Sequence, residues 1–255
     1  MLPKQRVVLI TGAGSGIGRA LSIEGAKRGM ALVLAGRRQD ALEETRALLS
    51  AGVSHVVVPT DITRRDDRER LASAIYSSYG SLDILFNNAG IVEGGPLDSC
   101  SDDVIARTFA TNVMAPISLT RDLLPLLLAA RPSRVVNIGS IFGDIGYPDF
   151  ACYSAAKFAL RGFSIALRRE LKANGVGVTY AAPRATKTDA ATAFAKLISK
   201  TRMSMDSPED VARAIWNAVV SGRDSVYAPA PERIYVLIQR LFPRLIDWSL
   251  ARQVQ

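Results

Sequence analysis

A doubly wound α/β fold, in which a parallel sheet carries helices on both faces, is predicted by three features of this 255-residue sequence. Short β-branched runs recur, and each is followed by a segment with helical spacing. The runs are continuously apolar rather than alternating, the pattern of strands buried on both faces. Hydrophobic residues make up 48% of the chain against 22% charged, enough for a large core and incompatible with intrinsic disorder, collagen or a disulfide scaffold. With no composition break, low-complexity tract or internal repeat, residues 1–255 are expected to form one domain.

The elements follow in order. Val7–Ile10 reads as a strand, followed by Gly-rich sequence and a helix over Arg19–Arg28. Ala31–Ala35 precedes a helix over Arg38–Ser50, and Val56–Pro59 precedes a charged helix around Arg64–Tyr79. Ile84–Asn87 leads through a loop into a long helix from about Ser101 to Ala129, where Asp102 and Asp103 supply helix-start charge. Arg134–Ile138 leads into a helix from about Tyr153 to Lys172. Val176–Ala182 and a short strand near Ser225–Tyr227 complete the series. Between them Ser207-Pro208-Glu209-Asp210 places an N-cap Ser before a first-turn Pro, opening a helix through Trp216. Gly52, Gly80 and Gly175 stand where helices are expected to end.

Charge narrows the partners. Lys and Arg number 32 against 24 Asp and Glu, a net +8 that favours anionic ligands or surfaces. The excess is dispersed and not interleaved with stacking aromatics, so nucleic-acid binding is not expected. Cys100 and Cys152 are too few for a disulfide framework and fit a reducing, cytoplasmic setting, with Cys152 read as a small buried hydrophobe. His55, the sole histidine, has no ligand partners in its neighbourhood, and no metal site is expected. No run reaches the roughly 18 apolar residues of a membrane span; charges and prolines at Arg121, Asp122, Pro125, Arg240, Pro243, Arg244 and Asp247 interrupt the nearest candidates.

Thr11-Gly12-Ala13-Gly14-Ser15-Gly16-Ile17-Gly18 lies between the first strand and the first helix. Glycines there allow a tight turn and close backbone approach to a pyrophosphate at the helix N-terminus, so Gly12, Ser15, Gly16, Ile17 and Gly18 are candidate dinucleotide contacts. At the end of the second strand, where an acid would hold an unphosphorylated ribose, the chain has Arg37 and Arg38. Guanidinium suits a 2′-phosphate, so NADP(H) is favoured over NAD(H); the same arginines also suit a solvated helix start. Asp61 either accepts from the adenine amino group or caps the following helix. Tyr153 and Lys157 are one helical turn apart, a spacing at which an ammonium would lower the tyrosine pKa towards the range of a general acid or base. Ser140 ends the fifth strand, placed to hydrogen-bond a carbonyl.

In this order and spacing, Thr11–Gly18, Asn87-Asn88-Ala89-Gly90, Asn112, Ser140, Tyr153 and Lys157 resemble the short-chain dehydrogenase/reductase family in its branch of roughly 250 residues, from about Arg6 to Thr188. The resemblance implies a Rossmann-like sheet of about seven strands and a nicotinamide cofactor. It implies Tyr153 as acid/base, Lys157 as ribose ligand, Ser140 as carbonyl polariser and Asn112 as holder of a proton-relaying water. Asn88, Ala89 and Gly90 would line the adenosine side, while Pro183 and Thr188 would contact the nicotinamide end. Two departures stand out: Arg184 replaces the usual Gly after Pro183, where it would narrow the pocket or meet an anion, and Gly139 replaces a common Ser. The implied chemistry is hydride transfer between NADP(H) and a carbonyl. Oxidation of a secondary alcohol of steroid or polyol type and a non-catalytic dinucleotide sensor are the alternatives.

The segment 184–206 would be a flap over the site. Phe194, Leu197, Ile198, Met203 and Met205 form its lining, with Lys196, Lys200 and Arg202 at its rim. This pattern fits a lipophilic substrate or an acidic carrier, and equally a helix packed on its own apolar face. Arg131 and Lys172 lie near positions that carry basic residues in carrier-protein reductases of the family. The tail, about 231–255, places Ile234, Leu237, Ile238, Leu241, Leu245 and Trp248 at helical spacing beside Arg233, Arg240 and Arg244. Such a helix could lie on an anionic membrane, pack on a second subunit or shield the pocket, and Pro243 would kink it or split it in two. The resemblance also implies a homodimer or homotetramer through the helices starting near Ser101 and Tyr153.

Overall fold

The computed structural model describes residues 5–50, 52–188, 194, 205–228 and 232–254. Seven strands form one all-parallel sheet: β1 (Val7–Thr11), β2 (Ala31–Gly36), β3 (Val56–Pro59), β4 (Ile84–Asn87), β5 (Ser133–Ile138), β6 (Val176–Pro183) and β7 (Ser225–Ala228). The strand order is β3-β2-β1-β4-β5-β6-β7, so the chain reverses direction of travel between β1 and β4. In a doubly wound sheet that reversal opens a crevice at the C-terminal strand ends, the usual place for a ligand.

Helices α1 (Gly16–Lys27), α2 (Gln39–Ala47), α3 (Arg65–Tyr79), α4 (Asp102–Phe109), α5 (Ala115–Ala129), α6 (Ala151–Leu171) and α7 (Pro208–Val220) supply the outer layers. Strand periodicity sorts the core into two. Val7, Leu9, Val33, Leu85, Val135 and Val178 pack towards Leu71 and Ile75 of α3, Leu119, Leu123 and Leu127 of α5, and Leu167 and Leu171 of α6. The alternate residues Val8, Ile10, Leu34, Phe86, Val136 and Ile138 face Leu21 of α1 and Val211, Ile215 and Trp216 of α7. Trp216 is fully buried, packs its ring tilted by 56° at 5.1 Å from that of Phe86 and donates its Nε1–H to Leu21 O at 2.9 Å. Its indole thus satisfies its one polar atom while filling the layer.

Several boundaries move. The helix expected from Ser101 to Ala129 is two helices joined by a π turn, Ala110–Met114. The third residue of that turn is Asn112, and the residue four further on is Pro116, which has no N–H; the carbonyl of Asn112 therefore receives no α-helical hydrogen bond from it. Helix α2 stops at Ala47, so Gly52 lies in the following turn rather than at a cap, whereas Gly80 and Gly175 end α3 and the turn after α6 in left-handed conformation. Helix α7 continues past Trp216 to Val220, with Ser207 accepting from Asp210 N at its start.

The tail forms α8 (Glu232–Leu241) and α9 (Pro243–Val254), the split that Pro243 at a helix start produces. The break resets the phase of the apolar stripe. Val236 and Ile246 are the buried residues, packed with Ile145, while Ile234, Leu237, Leu241, Leu245 and Trp248 are more than half exposed. Asp144, buried at the base of this contact, accepts from Tyr227 Oη at 3.0 Å and pairs with Arg161 at 3.1 Å and Arg240 at 3.2 Å. One carboxylate thereby joins the loop after β5, α6, β7 and the tail. Among the described residues, no helix is long and apolar enough to cross a membrane.

Candidate active site

A cleft of about 740 Å³ opens at the C-terminal ends of β1, β2, β4, β5 and β6. That volume lies within the range of small-molecule and cofactor sites. Its floor is the glycine turn. Ser15 caps α1 without a side-chain bond to the helix, and the first turn holds no acid, so the N-terminal N–H groups of Gly16, Ile17 and Gly18 have no side-chain partner. A Cβ at Gly18 would fall on the carbonyl oxygen of Gly12, itself at φ +66°, so only glycine lets turn and helix approach this closely. Thr11 Oγ1 accepts the N–H groups of Asn88 and Ala89, both at 3.0 Å, and Asn88 Nδ2 donates to Thr11 O at 2.8 Å. These bonds stitch β4 to β1 and hold Asn88, Ala89 and Gly90 along the cleft wall.

Arg37 and Arg38 stand exposed on the same wall at the end of β2. Asp61 lines it after β3, but it is not a helix cap: the N-cap position of α3 is Arg64, which makes no side-chain bond to the helix, and Asp61 Oδ1 instead accepts Thr63 N at 3.0 Å and Thr63 Oγ1 at 2.6 Å. The bond that Asp67 accepts from Asp61 N, 2.8 Å, holds the Asp67 carboxyl below its ordinary pKa.

At the other end Ser140, Tyr153 and Lys157 line the cleft together. Ser140 follows β5; its Oγ accepts Phe142 N at 3.2 Å and is hydrogen-bonded to the Tyr153 hydroxyl. Lys157 Nζ donates to Ile138 O at 3.0 Å and lies 5.6 Å from the centroid of the Tyr153 ring. Burial pushes the phenol up to about 12, opposed by the Ser140 bond, and pulls the ammonium down to about 8. This corrects the expectation that Lys157 depresses Tyr153. The ammonium donates to a carbonyl, and the desolvation of a buried phenolate is the larger effect.

Asn112 is fully buried behind the wall that Ala110 and Thr111 line. Its Oδ1 accepts Ile91 N at 2.9 Å and its Nδ2 donates to Ile91 O at 2.8 Å, so the side chain clamps the loop after β4 and only the main-chain carbonyl remains for a water. A Cβ at Gly90 would lie 2.9 Å from Asn112 Oδ1, which is why this loop carries glycine there.

Arg184 lines the cleft and is paired within the chain. Its guanidinium forks onto Asp206, Nε to Oδ2 at 2.9 Å and Nη2 to Oδ1 at 2.7 Å, beside a parallel bridge between Thr186 and Asp206. The pair joins the two ends of the expected flap. Pro183 and Thr188 line the cleft, and Thr188 lies over Gly16, whose Cβ would stand 3.0 Å from Thr188 Cγ2. Leu197, Ile198, Met203, Lys196, Lys200 and Arg202 lie outside the described residues. Phe194 packs at 5.0 Å on Phe150, 5.7 Å from Phe142 and 6.2 Å from Tyr153, a cluster of aromatic rings beside the reactive hydroxyls.

Sequence reasoning missed this cluster, although Phe142, Tyr147 and Phe150 lie in the short loop between Ser140 and Tyr153. It also passed over Tyr180, whose ring occupies the space a side chain at 139 would need and whose hydroxyl donates to Ser140 O at 3.2 Å. Gly139 and Tyr180 are therefore one packing unit. Arg131 and Lys172 precede β5 and β6, at the opposite strand ends from Ser140, and so do not rim the cleft of their own chain. His55 lies between β2 and β3, where its Nδ1 accepts Leu32 N at 3.3 Å, and among the described residues no cluster of His, Cys, Asp or Glu is placed to hold a metal.

The parallel sheet, the glycine turn and the Ser–Tyr–Lys group at one cleft define an oxidoreductase of the dinucleotide-binding class. The chain belongs to the short-chain dehydrogenase family, which it matches over residues 6–197. It is 32% identical to estradiol 17-beta-dehydrogenase 11 of Macaca fascicularis, over 99% of this chain and 86% of that protein. It is 34% identical to epidermal retinol dehydrogenase 2 of Mus musculus, over 91% and 76% respectively. Among solved structures, a short-chain dehydrogenase/reductase of Burkholderia phymatum in complex with NAD superposes with a TM-score of 0.87 at 29% identity, covering 96% of both chains. A 3-ketoacyl-(acyl-carrier-protein) reductase of Brucella melitensis complexed with NADH gives 0.80 at 26% identity, over 88% of this chain and 96% of that one.

Proposed function

We propose that this protein is an NADP(H)-dependent reductase of a lipophilic ketone or aldehyde. The observation that carries the reading is the shared hydrogen bond of Ser140 and Tyr153 at the closed end of a cleft whose open end carries Arg37 and Arg38. The residues fit the cofactor. The glycine turn presents uncapped N–H groups to a pyrophosphate, and the guanidinium pair suits a 2′-phosphate where a carboxylate would repel it.

The nicotinamide supplies the hydride when bound. The chain supplies the rest. The Ser140 and Tyr153 hydroxyls hold the carbonyl oxygen, and Tyr153, pushed up to about 12, carries its proton at neutral pH and delivers it to that oxygen. Lys157 beneath the ring positions the ribose side, and the carbonyl of Asn112 is placed to hold the water that resupplies the proton. Phe142, Phe150 and Phe194 exclude water from the reacting end and favour an apolar substrate. Likeness to a steroid and a retinol dehydrogenase favours, as a second reading, oxidation of a secondary or allylic alcohol by the same groups in reverse.

A homodimer or homotetramer is supported by the exposed apolar residues Met114, Ile117 and Phe158 on the stretch from the π turn to α6. The exposed apolar face of α8 and α9, with Arg240 and Arg244, supports contact of the tail with an anionic membrane in a cytoplasmic setting.

Titration of NADPH and NADH, followed by turnover of lipid-like ketones, tests the proposal. NADPH should bind more tightly, and Arg37→Ala with Arg38→Ala should remove at least about tenfold of that affinity. Tyr153→Phe should spare binding and lower turnover by about 10²- to 10⁴-fold. A preference for NADH refutes the cofactor assignment, undiminished turnover in Tyr153→Phe refutes the chemistry, and binding without turnover of any carbonyl or alcohol leaves a dinucleotide sensor.

A further inference from the structure

The two cysteines of the chain, 52 positions apart in sequence, meet in space. Cys100 ends the short turn before α4 and Cys152 is the second residue of α6, immediately before Tyr153. Their sulphurs are 3.6 Å apart within hydrogen-bonding reach, both residues are half-buried, and both are free thiols. We propose that Cys100 and Cys152 form a reversible disulfide that ties the loop lining the cleft to the helix bearing Tyr153 and lowers turnover when closed.

The backbone already holds the two segments together. Gly95 N donates to Asp149 O at 2.6 Å, and Gly94 lies flat against Phe150, where a Cβ would come within 2.5 Å of the ring. Closing the sulphurs from 3.6 Å to the disulfide length of about 2.05 Å thus draws together by about 1.5 Å two segments that are already in contact. The hydrogen bond to Cys152, burial, and the nearby Glu93 and Asp102 push the Cys100 thiol up, which leaves the first attack to Cys152.

The oxidant is a low-molecular-weight disulfide, of which glutathione disulfide is the cellular form. The Cys152 thiolate attacks one of its sulphurs, its S–S bond breaks, and one thiolate leaves. The Cys100 sulphur then attacks Cys152 Sγ of the mixed disulfide and expels the second thiolate, which takes up the Cys100 proton. Two protein thiols are oxidised and one external disulfide is reduced to two thiols. The closed bond joins the loop containing Val92 and Glu93, both on the cleft wall, to α6 one residue before the general acid. Displacements of the order of 1 Å at such a group are enough to slow a reaction greatly.

The full chain is incubated with excess glutathione disulfide, then analysed by intact mass, non-reducing peptide mapping, thiol titration and turnover. Support is a mass lower by two hydrogens, a linked peptide pair containing Cys100 and Cys152, and turnover reduced about tenfold or more until dithiothreitol restores it. Cys100→Ser should instead retain one glutathione on Cys152 and form no internal link. Two unreacted thiols, glutathione adducts without an internal bond, or links between chains would overturn the site. A closed bond with unchanged turnover would overturn its effect. The effect on turnover rests on the reductase reading, whereas the mass and peptide measurements do not, so failure of one is distinguishable from failure of the other.

Discussion

Lys157→Met offers a stability measurement at a buried residue of the proposed reactive group. The ammonium is fully enclosed by the fold and its pKa falls from 10.5 to about 8 through burial. A depressed lysine means that the unfolded chain binds the proton more tightly than the folded one. At about 1.36 kcal/mol per pH unit, the difference destabilises the folded protein by about 3 kcal/mol. That penalty is complete below pH 8, shrinks as pH rises, and is gone above about 10.5, because by then both states are neutral. Methionine keeps the length and apolar stem but loses the donor to Ile138 O, worth about 1 kcal/mol. The variant is therefore expected to be more stable than the parent by about 2 kcal/mol at pH 7 and less stable by about 1 kcal/mol near pH 10.5. Tyr153, raised by burial, contributes stability below pH 10 that is lost towards pH 12, and it does so in both proteins. Urea unfolding midpoints at intervals from pH 7 to 10.5 make the comparison. Parallel profiles for the two proteins would refute the argument, as would a variant less stable at pH 7.

Gly18→Ala places a methyl group on the carbonyl oxygen of Gly12; a loss of about 1–3 kcal/mol in unfolding free energy is expected together with loss of dinucleotide binding, and normal affinity in a dye-monitored melt with NADPH would contradict the cradle. Arg184→Gly, which restores the family's usual residue, leaves Asp206 without its fork and should cost about 1–3 kcal/mol. In a double-mutant cycle with Asp206→Ala the two losses should be clearly less than additive, and full additivity would show that the pair does not act as a unit.

Much of the site was legible because its residues work through local chemistry. The glycine turn must lie between a strand and a helix, Tyr153 and Lys157 must share a helix face, and Ser140 must end a strand; each requirement is met within a few residues of sequence. The π turn was hidden by helical spacing that runs unbroken from Asp102 to Ala129, although Pro116 four residues after Asn112 marks it in hindsight. The family resemblance implies Asn112 as a water holder, but its side chain is consumed by Ile91, and only its main chain remains. The tail was legible as amphipathic and as divisible at Pro243, yet of the stripe that spacing picked out Ile238 packs, beside Val236 and Ile246, while Ile234, Leu237, Leu241, Leu245 and Trp248 stay exposed.

The sequence by itself determined the parallel sheet, its two apolar layers, the glycine turn between β1 and α1 and the order of Ser140, Tyr153 and Lys157, because strand and helix periodicity and glycine sterics act over a handful of positions. Only the tertiary structure decided the directions of the pKa shifts at Tyr153 and Lys157, since burial depends on everything packed around a group. It likewise decided that Arg184 closes on Asp206, that Asp144 gathers Arg161, Arg240 and Tyr227, and that Cys100 meets Cys152. Those contacts join residues 17 to 96 positions apart, a separation at which only the path of the folded chain determines which side chains meet.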